Sequence, residues 1–514
     1  MSLLSLFCTL FLGFKSPEPL QTPTISDFRF QISDVRNPKS EIQNPINAID
    51  SSFYDIKIKI KDFKSPKALL CYYYGDQTFL VDSTQVDTLN GAMRFTQNKR
   101  LPEGVYFIAK PEGVVMDFIV AGWKDFSIST TSNSLYDSAK VENSRENEVF
   151  FDYMRAIQHT AAQSAQMREM NQMLRKATKD RKVLEENERK FVELYQNLEK
   201  TLKNTIQDNP SLYITKLLLA NQQPDVPDNI KPYTEDKKIN PIYPYYLAQN
   251  YWSNFDFSDE RLLRSPYYIT KVKEYVSRVV SPNQDSINVY TDLLLSKMKS
   301  QPLYYKYTLK WLTQWCDEDN YGKGNDAFFS ESLFIHLVDT YHGLKTSGTD
   351  TFTLQRLRYK ADAFRSNRIG VVAPNFSLPD TLGAIKCLSD STTKLYTLVA
   401  FYSPICSHCQ ERMPKFAEIL KTVNPEVLKV YAIDTDGNRD KWFEFIRKLN
   451  LDATHLLDSK SESEMQIRYG SWNLPALYLL DKDKKIVAKN ITPERLALIV
   501  NQLNTIKTSS NLRK

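Results

Sequence analysis

The chain has 514 residues, 42% of them hydrophobic, and this length predicts about three or four domains rather than a single core. Its 67 basic and 61 acidic residues give a net charge of +6 and are mixed along the chain, so no basic stripe indicates nucleic-acid binding. Six cysteines are too few for a disulfide-stapled scaffold, and the 14 glycines include no phosphate-binding loop.

Residues 1–50 are predicted to be a signal-like segment followed by disordered sequence. Residues 2–14 are an apolar run of signal-peptide length that is too short to cross a bilayer as a helix. The run lacks a basic start, and no clear cleavage site follows it. This weak signal favours export to the periplasm or cell envelope, and a misassigned start codon is the alternative.

Residues 51–132 are predicted to form an all-β, sandwich-like domain. The stretch YDIKIKIKDF alternates apolar and charged residues with the period of two that a half-buried strand requires. Turn signals at Gly75-Asp76 and at residues 111–113 separate further β-rich runs, with no helical pattern between them.

Two helical segments with a connector between them come next. Residues 133–221 carry apolar residues at three-and-four spacing, which predicts a long amphipathic helix or a helical hairpin, with a dimerising coiled coil as the alternative. Residues 222–244 contain five prolines and are predicted to be a connector. Residues 245–368 resume the helical pattern and predict an all-α domain.

Residues 369–505 alternate strand and helix, and residues 506–514 are predicted to be a disordered tail. The run LYTLVAFYS is continuous and apolar, as a strand buried on both faces requires. The stretches NFSLPD and AIKCL predict a leading hairpin, and the strands VLKVYAID, THLLD, ALYLLD and KIVAKN follow among helices. This order predicts an α/β domain whose mixed sheet is covered on both faces.

Cys406 and Cys409 are a C-x-x-C pair at the point where the buried strand gives way to a helix. The free N–H groups and the positive dipole end of that helix lower a cysteine pKa from about 8.5 to roughly 3.5–7.5. Cys406 is predicted to be the nucleophile and Cys409 the resolving thiol of a redox-active disulfide that needs no cofactor. A zinc site would need two more ligands, and two inert core cysteines are the other alternative.

Ser407 and His408 lie between the two cysteines and are predicted to tune their redox potential. The imidazole can stabilise the Cys406 thiolate by a hydrogen bond or, when protonated, by its charge. Because stabilising the reduced form makes a disulfide more oxidising, we expect a reduction potential above roughly −270 mV, the value of thioredoxin. The alternative is a solvent-facing histidine without a role.

The motifs around this pair resemble the thioredoxin superfamily. They are GVVAPNFSLPD at residues 370–380, LVAFYSPICSHC at residues 398–409, Pro414 five residues after the second cysteine, and Leu474-Pro475 before ALYLLDKDKKIV. Within the superfamily, this module is similar to the bacterial, outward-facing thiol–disulfide oxidoreductases of the TlpA/ResA type. The resemblance implies a thioredoxin-like fold, protein or small-thiol partners, and an electron donor or acceptor that the sequence does not identify.

The resemblance also implies roles for four residues. Pro475 corresponds to the family's cis-proline, which together with Leu474 presents backbone to a substrate. Pro414 would kink the active-site helix. Pro404, within the motif, is assigned a structural role beside the cysteines.

Several positions depart from the pattern of the family. Ala400 stands where many thioredoxins carry a buried carboxylate that helps to deprotonate the resolving cysteine, and Glu411 is a candidate replacement. Ile405 replaces the usual Trp. Ser403 also fits the pattern of a peroxiredoxin but Val399 does not, so a thiol peroxidase is a further alternative.

Residues 104–120 and the stretch FIHLVDTY at residues 334–341 resemble multidomain bacterial envelope proteins, in which a β domain of unknown function and a helical domain precede a TlpA-like module. This arrangement leaves a second class of function open, an envelope binding or scaffold protein with an accessory redox module. Membrane anchoring and the oligomeric state are left open by the sequence, as are the substrate and the direction of electron flow.

Overall fold

The structure, a computed structural model, comprises two compact units, Met1–Val280 and Ser281–Lys514. The boundary between the units lies within the predicted helical domain, residues 245–368, and the domain limits stay predictions. Apart from residues 35–36, the predicted signal-like segment lies outside the described residues. The structure describes residues 35–36, 54–98, 100–122, 125–177, 181–230, 240–280, 284–318, 327–390, 394–424, 426–458, 465–471 and 473–511.

The first unit contains two β-sheets. Their strands are β1 (Val35–Arg36), β2 (Tyr54–Lys61), β3 (Lys67–Tyr74), β4 (Gln77–Gln85), β5 (Ala92–Gln97), β6 (Gly104–Lys110), β7 (Gly113–Val120), β8 (Asp125–Thr131) and β9 (Lys140–Glu142). One sheet has the order β1-β4-β3-β6-β7 and the other the order β5-β2-β8-β9. Phe118 of the first sheet contacts Phe126 of the second, with ring centroids 6.0 Å apart. The two sheets therefore pack against each other, as expected for a sandwich-like domain.

Five α-helices complete the described part of the first unit. They are α1 (Arg145–Ala177), α2 (Arg181–Asp208), α3 (Tyr213–Asn221), α4 (Tyr243–Asn250) and α5 (Pro266–Glu274). Arg168 lies 5.9 Å from the ring centre of Phe191, and Asn187 donates a hydrogen bond to Asn171 at 2.6 Å. The contact that lies further along α1 is made with a residue that lies nearer the start of α2. The two helices therefore run antiparallel and form a helical hairpin.

The described part of the second unit begins with four α-helices. They are α6 (Gln284–Lys297), α7 (Pro302–Glu318), α8 (Ala327–Leu337) and α9 (Thr351–Asn367). Helix α9 starts after Asp350, whose side chain accepts a hydrogen bond from the Thr353 N–H at 2.9 Å, as an N-cap residue does. Across the described stretches of both units, no helix has the length and apolar character needed to cross a membrane.

The remainder of the second unit is an α/β domain. Its strands are β10 (Ser377–Pro379), β11 (Ile385–Cys387), β12 (Tyr396–Tyr402), β13 (Leu428–Asp434), β14 (Thr454–Leu457), β15 (Ala476–Leu480) and β16 (Ile486–Lys489). Its helices are α10 (Ser407–Leu420), α11 (Arg439–Leu449), α12 (Met465–Arg468) and α13 (Pro493–Asn511). Helix α13 thus continues into the predicted tail, residues 506–514.

The α/β domain is built on one five-stranded sheet of order β14-β13-β12-β15-β16. Strand β12 runs parallel to β13 and antiparallel to β15, and the β10–β11 hairpin lies beside this sheet. Helices α10, α11 and α13 cover one face, and α12 with the hairpin covers the other. The predicted fold class is confirmed, with β-sheets first, helices in the middle and a thioredoxin-like α/β domain at the C-terminal end.

A buried polar cluster joins helices α8 and α9 to the α/β domain within the second unit. Lys489 of β16 forms an ion pair with Glu331 of α8, and both side chains are almost completely buried. The Lys489 ammonium also donates to the Asn367 side chain at 2.6 Å, and Asn367 donates to the Tyr469 carbonyl at 2.8 Å. Burial lowers the pKa of Lys489 and raises that of Glu331, so each ion depends on the other.

Candidate active site

Strand β12 leads directly to Cys406 at the N-terminus of α10. In the turn between them, the Cys406 N–H donates to the Ser403 carbonyl at 3.2 Å. Cys406 is the N-cap residue, with φ −75° and ψ 123°, and its carbonyl accepts from the Gln410 N–H at 3.0 Å. The residue is half-buried and lies at the positive end of the helix dipole, where a thiolate is stabilised.

Cys409 lies one turn further along α10 and is completely buried. Burial is the main cause that raises the pKa of Cys409 to about 12. Cys409 is therefore a protonated thiol at neutral pH, and its proton must leave before its sulfur can attack a disulfide.

Leu474 and Pro475 lie against the cysteine pair. The peptide bond between them is cis, and the Leu474 carbonyl oxygen is 3.8 Å from the Cys406 sulfur. Ile405, next to Cys406, has 54% of its side chain exposed. The structure thus brings together both cysteines and the distant Leu474-Pro475 step, and it adds an exposed apolar side chain at the same place.

The other residues predicted around the pair lie on α10 or just before it. Ser407 and His408 are exposed on the first turn of α10. Pro404 is buried, and its carbonyl accepts a hydrogen bond from the Gln410 side chain at 2.9 Å. Pro414 lies inside α10, which continues to Leu420. The roles assigned to these residues stay predictions.

Glu411 does not have the surroundings that a replacement for the missing carboxylate needs. It is exposed and forms an ion pair with Lys415 at 2.9 Å, and this hydrogen bond lowers the pKa of Glu411. Ser403, on which the peroxidase alternative rests, accepts a hydrogen bond from the Ile405 N–H at 3.3 Å through its hydroxyl. That alternative stays a prediction.

Two family models match the chain. Residues 369–489 match the AhpC/TSA family, and residues 54–150 match a domain of unknown function, DUF4369. No curated protein matches the chain.

Among solved structures, a domain described as a possible thiol-disulfide isomerase from Cytophaga hutchinsonii is 33% identical in sequence, over 27% of this chain and 96% of that one, with a TM-score of 0.26. The chain belongs to the thioredoxin superfamily. A thiol-disulfide oxidoreductase from Bacteroides fragilis is 26% identical over 26% of this chain and 99% of that one, with a TM-score of 0.25. A thioredoxin-like protein from Bacteroides caccae is 20% identical over 55% of this chain and 98% of that one, with a TM-score of 0.43.

The superfamily membership applies to the C-terminal module, which is a thioredoxin-like oxidoreductase of the TlpA-like type. The match to DUF4369, residues 54–150, covers the N-terminal β domain. Both the resemblance and the enzyme class predicted from the sequence are confirmed.

A cleft of about 860 Å³ opens beside the cysteines of the thioredoxin-like module. Cys406, His408 and Pro475 line it on one side. Helices α8 and α9 supply another part of its wall, namely Glu331, Lys360, Phe364 and Asn367. Burial lowers the pKa of Lys360 to about 8. The sequence analysis did not find these helical residues, because nothing in their spacing relates them to the cysteine pair.

Asp434, at the end of β13, is a second residue that the sequence analysis missed. It is completely buried, and its Oδ1 accepts a hydrogen bond from the Asp436 N–H at 2.9 Å. Burial raises the pKa of this carboxyl to about 6. The sequence could have indicated this residue, because the acidic Asp434 ends the otherwise apolar strand VYAID, whose residues are expected to be buried.

Proposed function

We propose that this chain is an extracytoplasmic thiol–disulfide oxidoreductase that exchanges disulfides with protein or small-thiol partners through Cys406 and Cys409. The observation that carries the proposal is the pairing of a half-buried cysteine at a helix N-terminus with a buried cysteine one turn away. This is the arrangement that thiol–disulfide exchange requires, because only the accessible thiol meets the partner.

In the reductive direction, the Cys406 thiolate attacks one sulfur of the partner disulfide and releases the other sulfur as a thiolate. Cys409 then attacks the Cys406 sulfur, which closes the Cys406–Cys409 disulfide and releases the partner's second sulfur. Two electrons pass from the cysteine pair to the partner. The reverse sequence oxidises a dithiol partner, and the net direction depends on the potential of the electron donor or acceptor.

Two features support the choice of partner and compartment. The exposed Ile405 side chain and the backbone at Leu474-Pro475 flank Cys406, which suits an extended peptide that carries a cysteine. The apolar run at residues 2–14 and the resemblance to outward-facing oxidoreductases support action outside the cytoplasm.

The reduction of insulin by dithiothreitol tests the catalytic proposal. We expect the full chain to accelerate the reaction and Cys406→Ser to abolish the acceleration, because the variant lacks the attacking sulfur. The matched control is Cys387→Ser, which removes the half-exposed thiol of β11 that contacts the Ser377 hydroxyl at 2.9 Å. Equal activity of wild type and Cys406→Ser would contradict the proposal.

A further inference from the structure

Asp434 lies on the same face of the five-stranded sheet as Cys409. The sheet thus has a carboxylate on this face, although Ala400 occupies the position where many thioredoxins have one. Side chains alternate between the two faces along a strand. Val430 and Ala432 of β13 belong to the core that also contains Cys409, whereas Tyr431 and Ile433 belong to the core on the other face. Asp434 follows Ala432 by two residues and therefore lies on the face of Cys409.

The strand register fixes how far this carboxylate is from the expected position. Ala400 is paired with Ala432, and Tyr402 is paired with Asp434. Since adjacent strands are about 4.8 Å apart and two residues advance about 6.7 Å, the Cα atom of Asp434 lies roughly 8 Å from that of Ala400. The shift runs toward the end of β12 that leads into Cys406.

The immediate surroundings of Asp434 favour uptake of a proton. Its Oδ2 is buried and, within the described part of the chain, has no hydrogen-bond partner. The ionisable groups that act on it or that it acts on are Asp436, Asp458, Tyr402 and Cys409, and none of these is a cation. A proton on Asp434 removes a buried charge that nothing in this set compensates.

We propose that Asp434 is the general base that accepts the proton of Cys409 when Cys409 resolves the mixed disulfide on Cys406. This inference rests on the proposed function. As the Cys409 S–H bond breaks, its proton passes to the Asp434 carboxylate, and the electron pair of the sulfur forms the bond to the Cys406 sulfur. The bond between Cys406 and the partner breaks, and the partner leaves as a thiolate that carries the two electrons.

The two thiol steps can be followed separately with one equivalent of the chromogenic disulfide 5,5′-dithiobis(2-nitrobenzoate). The first thionitrobenzoate released reports the attack by Cys406, and the second reports the closure by Cys409. The experiment uses the full chain with Cys8→Ser and Cys387→Ser, so that these other thiols do not consume the probe.

In wild type, we expect the rate of the second release to rise as the pH increases through about 6, where Asp434 loses its proton. In Asp434→Asn, we expect the rate of the second release to show no such rise with pH. At pH 7 this rate should be about 100-fold lower than in wild type, as for removal of a general base. The first release should not change. In the control Asp436→Asn the step should persist and shift to lower pH, because the charge of Asp436 raises the pKa of Asp434.

Unfolding by urea checks that the variant is folded and tests the same carboxylate. Because the pKa of Asp434 is higher in the folded chain than its usual 3.8, its ionisation destabilises the fold as the pH rises from about 4 to about 6. We expect Asp434→Asn to unfold at higher urea than wild type at pH 7, and at equal urea near pH 4. A lower midpoint at pH 7 would contradict the uncompensated carboxylate on which the proposal stands.

Besides that lower midpoint, two kinetic outcomes would overturn this inference without contradicting the proposed function. One is a second release in Asp434→Asn with the rate and pH profile of wild type. The other is a wild-type rate of second release that does not change with pH near 6. This measurement uses wild type only, so it does not depend on the folding of a variant. A wild-type chain that shows no second release at all would instead contradict the proposed function, because Cys406 and Cys409 would then not close a disulfide.

Discussion

His408 lies on the exposed first turn of α10 and lines the same cleft as Cys406. The Lys415 hydrogen bond is the main cause that lowers the pKa of the neighbouring Glu411, and His408 makes a small contribution in the same direction. Because His408 and Cys406 line the same cleft, any charge interaction between the imidazole and the Cys406 thiolate passes through a solvated environment. Such an effect is small and depends on ionic strength.

We expect His408→Ala to lower the reduction potential of the cysteine pair by about 10–30 mV, because the thiolate loses a favourable neighbour. Equilibration of the full chain with glutathione redox buffers at pH 6 measures this change. Ser407→Ala is the comparator and should give a smaller change, since a hydroxyl carries no charge. A potential that stays the same or rises in His408→Ala would contradict the tuning role.

At the scale of residues, the sequence was enough to select Cys406 and Cys409 by their spacing, and the Leu474-Pro475 step by its resemblance to the family. It was not enough for Asp434. The relation of Asp434 to Cys409 depends on the pairing of β13 with β12 and on the face to which each residue points. Sequence spacing alone does not contain that information.

At the scale of elements, helices α8 and α9 are held to the thioredoxin-like module by a buried ion pair rather than by apolar contacts alone. Lys489 and Glu331 are exposed by only 3% and 2%. Breaking one side of such a pair leaves the other charge buried, whereas replacing both with apolar groups of similar volume is often tolerated.

We expect Lys489→Met to destabilise the second unit by about 3–5 kcal/mol, because Glu331 is left buried without its cation. Urea unfolding of the full chain, followed in the transition of the second unit, measures this change.

The double variant Glu331→Leu with Lys489→Met should recover most of that loss. The matched control is Lys421→Met, which breaks the exposed pair with Glu418 and should change stability very little. If Lys489→Met and Lys421→Met unfold at the same urea concentration, the buried pair does not stabilise this unit.

The order of strands and helices in the thioredoxin-like module was predictable, because buried strands and amphipathic helices have different apolar periods. The ion pair between Lys489 and Glu331 was not predictable from the sequence. Lys489 ends a strand and Glu331 lies in a helix far away in sequence, so only the folded chain shows that they meet.

At the scale of the whole molecule, the described residues that line the cleft all lie between Glu331 and Glu494, within the second unit. The described groups that surround Cys406 in this cleft are thus side chains of the second unit. The first unit contains the match to DUF4369, and recognition of a partner in the envelope is the role that the sequence left open for it.

We expect a chain that begins at Ser281 to reduce insulin at the rate of the full chain, because both share the complete cleft. In cells, the Cys409→Ser form of each chain should trap partners as mixed disulfides on Cys406. We expect fewer proteins to be trapped by the shorter chain, as separation and mass spectrometry of the disulfide-linked species would show. Identical sets of trapped proteins would contradict a role of the first unit in choosing partners.

The wall that α8 and α9 contribute to the cleft has a consequence for protein engineering. Residues 369–489, which the family model covers, would be the obvious segment to transfer to another protein. Transplanting that segment alone would leave Lys489 without Glu331 and Asn367. It would also remove the wall of the cleft that α8 and α9 supply. A functional chimera should therefore be cut before Ala327, so that the graft carries both helices along with the redox motif.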